Sequence, residues 1–176
     1  MPDEKLPGPK KSETRAARPS RAHVGDAEHF GEVCGGSGGV PYSVLARSPA
    51  RITHIRIWHR QYVDGIQLDT NEGALPRIGG TGRHRDIRQE TFELLRDEFI
   101  TGVSVEYWTY IDRITFHTNQ RSFGPFGGDG GRLKKELHAP PGRFVVGFEG
   151  RHWEFIDSIQ LMVSGPGIGK TSPDQR

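Results

Sequence analysis

The stretch YIDRITFHTNQRSFGPFGGDGG, residues 110–131, joins two short motifs that each occur three times in this chain. The first, YIDRITF, has the form aromatic, β-branched, Asp, any residue, Ile, any residue, apolar. Its other copies are YVDGIQL at 62–68 and FIDSIQL at 155–161, so the aromatic positions are 48 and 45 residues apart. The second is a glycine loop, GGDGG at 127–131, with counterparts GGSGG at 35–39 and GGTGR at 79–83, spaced by 44 and 48. An interval near 45 used three times argues for one supersecondary unit repeated about a pseudo-threefold axis. Whatever chemistry the Asp supports is then available at three places.

Around these motifs the pattern is that of short strands. Alternating stretches occupy 51–59, 65–69, 100–107, 112–118, 143–149 and 158–163. In the last, Ile159, Leu161 and Val163 are expected on one face and Ser158, Gln160 and Met162 on the other, the period of two of a half-buried strand. The segment 86–97 (DIRQETFELLRD) contains good helix formers, but its place in the repeat predicts an outer strand leading into a turn. The 24 glycines and 12 prolines fit many tight turns. A propeller of blades this long needs at least four, and a trefoil has no reason to carry GGxGG loops. The expectation is an all-β prism of three four-stranded antiparallel sheets, each burying its inner face against the other two.

At 176 residues the chain suits one domain. No apolar run approaches the roughly 18 residues of a membrane span, so membrane insertion is not expected. The opening MPDEKLPGPKK lacks the apolar stretch of a secretory leader, an expectation of a cytoplasmic or non-classically released protein. Residues 1–25 carry a net charge of +3 and the remainder −1. The composition of 1–25 predicts a disordered basic tail, followed by a folded domain over 26–165 and a flexible end over 166–176. A near-neutral folded part argues against a nucleic-acid partner. The single cysteine, Cys34, excludes an internal disulfide and is read as a packing residue. No metal or cofactor is expected: His54 and His59, five apart on a strand, face opposite sides. The run SGPGIGKT at 164–171 has Ser in place of the first glycine of a phosphate loop. No nucleophile arrangement emerges, so the chain is not read as an enzyme.

The run 110–131 resembles the signature of jacalin-related lectins, in which a strand ending in Thr-Asn leads into Gly-Pro-aromatic-Gly. VVGFEGRHWEFIDSIQL at 145–161 is similar to the family's last strand pair and its Gly-x-x-x-Asp loop. The resemblance covers about 28–164, and the threefold repetition is most similar to griffithsin-like members. It implies a type I β-prism of Greek-key sheets, and binding of mannose or galactose without catalysis. It also pairs the loops. GGSGG goes with the last acidic loop (Gly39, Glu154, Phe155, Asp157), GGTGR with the first (Gly82, Tyr62, Asp64) and GGDGG with the second (Gly131, Tyr110, Asp112). Galactose-type members depend on a cleaved chain, so mannose- or glucose-type glycans and glycoproteins are the expected partners. Self-association into a homo-oligomer is left open.

Such a site has a physical rationale. An ionised Asp accepts two hydroxyl donors at once through charge-assisted bonds. Glycine lets main-chain amides approach a sugar ring, and an aromatic ring can receive the apolar face of a pyranose. The family's first loop glycine is replaced by Arg60, Trp108 and Trp153, which either add stacking surface or close the pockets, and Arg83 replaces a glycine in the GGTGR loop. Judged by how intact their loops are, Asp112 ranks first, Asp157 second and Asp64 last. The alternative reading is a prism used as a protein-interaction or structural module with its sugar pockets blocked.

Overall fold

The computed structural model describes residues 27–80 and 84–165. The tails expected over 1–25 and 166–176, most of the phosphate-loop-like run and Gly82 lie outside the described residues. Thirteen strands follow one another with no helix among the described residues: β1 Glu28–Gly35, β2 Val40–Leu45, β3 Ile52–His59, β4 Val63–Thr70, β5 Gly73–Ala74, β6 Ile78–Gly79, β7 Arg88–Glu93, β8 Ile100–Tyr107, β9 Ile111–Thr118, β10 Ser122–Gly127, β11 Leu133–His138, β12 Val145–His152 and β13 Ile156–Val163. The helix formers of 86–97 yield to sheet pairing, with β7 running along β3.

The strands form three antiparallel sheets, ordered β1-β13-β12-β2, β5-β4-β3-β7 and β10-β9-β8-β11. The second sheet counts five strands because its outer position beyond β4 is broken into β5 and β6. In each sheet a central hairpin (β3–β4, β8–β9 or β12–β13) is flanked by two outer strands in Greek-key order. Each acidic motif forms the tip of a central hairpin, and each glycine loop joins or borders the outer strands. The first sheet is assembled from opposite ends of the described chain, β1 and β2 with β12 and β13. That topology is why GGSGG meets the last acidic loop.

The inner faces make one core. Ile55, Ile57, Ile66, Leu68, Ile114, Phe116, Phe148, Ile159 and Leu161 are fully buried, while His54 and Arg56 between the β3 isoleucines are only half-buried. The alternation expected for β13 holds on its inner face, but Ser158 and Met162 are buried too. As a central strand it is covered on both sides, and Tyr42 donates to the Ser158 carbonyl at 3.0 Å. A stack of Phe92 on Phe123, with centroids 4.3 Å apart and 3° between planes, closes one corner. Cys34 is buried.

The glycine loops knit the sheets together. Gly36, Gly80 and Gly128 each donate to the carbonyl of the Asp in their own sheet: Asp157 at 2.8 Å, Asp64 at 2.9 Å and Asp112 at 3.0 Å. Each also abuts the acidic turn of the next sheet: Gly36 against Thr109, Gly80 against Glu154 and Gly128 against Gln61. A Cβ at any of the three would run into a backbone carbonyl. Gly36→Ala should therefore destabilise the fold by about 1–3 kcal/mol, the usual cost of forcing atoms into filled space. Urea unfolding followed by tryptophan fluorescence would measure it, and an unchanged midpoint would refute the locking role.

Candidate functional site

The three acidic turns share one geometry. The amide of Arg60, Trp108 or Trp153 donates to the carbonyl two residues on, at 3.0, 3.1 and 3.0 Å. The Asp that follows is the second residue of β4, β9 or β13, which makes it part of the sheet rather than of an exposed loop. Asp64, Asp112 and Asp157 are 0%, 4% and 3% exposed. The first glycine of each partner loop (Gly35, Gly79, Gly127) has φ between +90° and +123°, where a side chain is disfavoured. This turns the loop back over the Asp.

Asp157 faces the first glycine loop most closely. A Cβ on Gly38 would lie 2.7 Å from its Oδ1, and one on Gly39 2.8 Å from its Oδ2. Oδ2 is buried without a hydrogen-bond partner among the described residues. Burial pushes the Asp157 carboxyl above its usual range, opposed by His152 and Arg151. Arg151 clasps the loop from behind: Nε donates to the Gly38 carbonyl at 2.9 Å and Nη2 to the Gly39 carbonyl at 2.7 Å.

Asp112 is arranged alike, with Gly130 against its Oδ1. Burial raises its pKa, the nearby Trp108 amide favours the charged form, and Glu106 adds like-charge repulsion. Asp64 differs. Arg60 Nε lies 3.7 Å from its Oδ1, and burial raises its pKa against the pull of Arg60, His84 and Arg77. Arg77 stacks on Trp58 at 3.7 Å. The first acidic loop thus already has its own guanidinium beside its carboxylate.

The aromatic residues of the motifs take a position that spacing alone did not reveal. Tyr62, Tyr110 and Phe155 converge, with ring centroids 5.3, 5.0 and 5.1 Å apart, in a triangle between the three turns. All three are half-buried. Their edges and faces meet one another, so much of their apolar surface holds the turns together. The large residues at the loop starts stand outward instead: Trp153 is 69% and Trp108 51% exposed, the latter beneath Arg132 at 5.0 Å. Glu154 is exposed, and Gly131 packs against the Glu106–Tyr107 backbone.

A further set of residues escaped the motif reading. His59, Tyr107 and His152 each sit five positions before an Asp. His59 Nδ1 accepts from the Gly127 amide at 3.0 Å and His152 Nδ1 from the Gly79 amide at 2.6 Å. Tyr107 lies against the Cys34 thiol, next to Gly35. A ring at that spacing was the available signal. Burial holds His152 below its usual pKa, consistent with a neutral ring that accepts at Nδ1.

A family model for the jacalin-like lectin domain matches residues 31–162. The chain belongs to the jacalin-like lectin family. This jacalin-like chain is 32% identical over 87 residues to the jacalin-related lectin Calsepa of Calystegia sepium, a match covering 47% of this chain and 56% of that lectin. It is 26% identical over 140 residues to a mannose/glucose-specific lectin of Parkia platycephala, covering 73% of this chain and 30% of that one. The matches thus span about half of the first relative and under a third of the second. Among solved structures, Malaysian banana lectin is similar with a TM-score of 0.66 at 28% identity, over 80% of this chain and 99% of that one. Artocarpin in complex with mannotriose shares the fold, with a TM-score of 0.64 at 24% identity over 80% and 99% of the two chains.

The raised pKa of Asp157 has a stability consequence. Its ionised form is disfavoured by folding, so the penalty is absent below the ordinary carboxylate range and grows as pH rises through the raised folded value. Asp157→Asn should unfold at a higher temperature than the parent at pH 7, with the gap closing at pH 3. Calorimetric scans at the two pH values would test this, and a variant less stable at pH 7 than at pH 3 relative to the parent would contradict it.

Proposed function

We propose that this jacalin-like domain binds mannose- or glucose-type glycans without catalysing their conversion, and that the Asp157 site does most of the binding. One observation carries the reading. Asp157 presents an unpartnered carboxylate oxygen against Gly38 and Gly39, and a buried acceptor without a donor calls for one from outside. The amides of Gly39, Glu154 and Phe155 make no hydrogen bonds among the described residues. The same two loops therefore supply both donors and an acceptor, which suits neighbouring sugar hydroxyls that each donate and accept. Exposed Trp153 offers apolar surface in the same turn.

This order differs from the one based on intact loop spelling. Asp112 keeps Gly131, Gly130 and Tyr110 around it and ranks second, because Glu106 adds negative charge. Asp64 ranks last: both of its oxygens also lack a hydrogen-bond partner among the described residues, but the Arg60 guanidinium 3.7 Å from Oδ1 already neutralises its charge and competes with any hydroxyl. A blocked pocket, the mark of an interaction module, describes that one site only. Two or three weak sites on one end of a prism suit branched glycans, since tethered sites raise effective concentration.

Asp157→Ala removes an acceptor of two hydroxyls and should weaken methyl-mannoside binding by about 1.5–3 kcal/mol, roughly ten- to a hundredfold, with Asp112→Ala smaller and Asp64→Ala near zero. Calorimetric titration of the three variants decides it. Parent-like affinity in all three would exclude the carboxylates from sugar binding. Arg151→Met should weaken the same titration several-fold while leaving the unfolding temperature within about 2 °C, because it frees two glycine carbonyls without opening the core. A variant that binds as tightly as the parent would show that Arg151 does not position the loop.

A further inference from the structure

The end of the prism opposite the acidic turns holds a cavity of about 690 Å³, within the roughly 300–1,000 Å³ range of small-molecule sites. All three sheets contribute to it: Leu45 at the end of β2, Ile52 at the start of β3, Ile100 at the start of β8 and Val145 at the start of β12. Its floor is apolar and closed, with Ala46, Ile52, Leu94, Ile100 and Val145 at most 7% exposed. Phe99 and Phe144 stand at its mouth, partly exposed, with ring centroids 5.6 Å apart.

The charges around this apolar floor are unbalanced. Arg47, Arg51 and Arg96 line the cavity, and among the described residues none of them is within 4 Å of an acid. Arg51 Nη1 donates to the Leu95 carbonyl at 3.4 Å, which leaves its charge uncompensated. Two acids line the same space. Glu98 is fully engaged: Arg121 donates to it twice at 2.9 Å, Thr118 at 2.7 Å and the Leu95 amide at 2.9 Å. Only Asp97 remains against three guanidinium groups. An apolar floor under a cationic rim is complementary to a molecule with an apolar body and one anionic head.

We propose that this cavity binds a small amphipathic acid, its apolar body on the Ile52–Ile100–Val145 floor and its carboxylate among Arg47, Arg51 and Arg96. The site is separate from the sugar end. Eight-residue strands run between them, and at about 3.3 Å per residue the two ends are roughly 25 Å apart. One chain therefore holds an acid and a glycan at once, and neither displaces the other. The cavity does not depend on the lectin reading, so either can fail alone.

The test uses the full chain with decanoate as the probe and decanol as its uncharged counterpart, both followed by calorimetric titration. Decanoate should bind at one per chain, at least tenfold tighter than decanol, and with unchanged affinity in saturating methyl-mannoside. Arg47→Gln with Arg96→Gln changes only exposed side chains, and should remove the preference for decanoate while leaving decanol binding and the unfolding temperature in place. Equal binding of the two probes by the parent would overturn the proposal, as would competition from the mannoside or no saturable binding of decanoate. Ala27 and Ser164 border the cavity, so a chain lacking residues 1–26 is the last arm. Binding seen only after that removal would mean the chain covers its own cavity, which also overturns the proposal.

Discussion

Three glycines sit where the backbones of adjacent sheets come too close for any side chain. Gly36, Gly80 and Gly128 each hold the aspartate carbonyl of their own sheet and press on the acidic turn of the next. The three contacts form a closed cycle, so no sheet can shift without disturbing both neighbours. The imidazoles of His59 and His152 reinforce two of the joints by accepting amides from the adjoining loops. The tight joints at one end of the prism follow from this cycle. So does the position of each carboxylate, which is fixed by backbone and hardly at all by its own side-chain contacts.

Carboxylates placed in this way are costly. Burial disfavours their ionised form, and two of the three retain oxygens with no partner among the described residues. At Asp64 the chain supplies its own compensation through Arg60 and Arg77. At Asp157 it comes from His152 and Arg151, and no cation lies within 4 Å of its carboxylate among the described residues. The same threefold frame thus carries one carboxylate neutralised by nearby guanidinium charge, though still without a hydrogen bond, and one that has no guanidinium within 4 Å among the described residues. The difference comes from single residues at equivalent positions, Arg60 where the other turns have tryptophan.

The reading of the sequence succeeded where the physics is local. Central strands announce themselves by alternation, as Ile55 and Ile57 do in β3, and the glycine and acidic loops by their spelling. The pairing of loops across the chain was legible only through family resemblance. Outer strands such as β1 and β11 were not visible, because their residues are largely exposed and carry no apolar period. The triangle of Tyr62, Tyr110 and Phe155 was also hidden: spacing shows that three rings exist but not that they turn toward a common axis. Arg151 was missed because its partners are carbonyls 112 and 113 positions away, and backbone acceptors leave no trace in residue identity.

The first sheet joins β1 and β2 to β12 and β13, so Gly39 and Asp157 come from strands laid down at opposite times during synthesis. The second and third sheets are each encoded in one continuous stretch and can pair their strands as they emerge. The first sheet has to wait for Val163. Until then the inner faces of the other two sheets lack their third wall, and β1 and β2 have no central hairpin to join. The proposed principal site thus appears only once the last strand has joined the sheet, so no shorter stretch of the described chain can hold a ligand there.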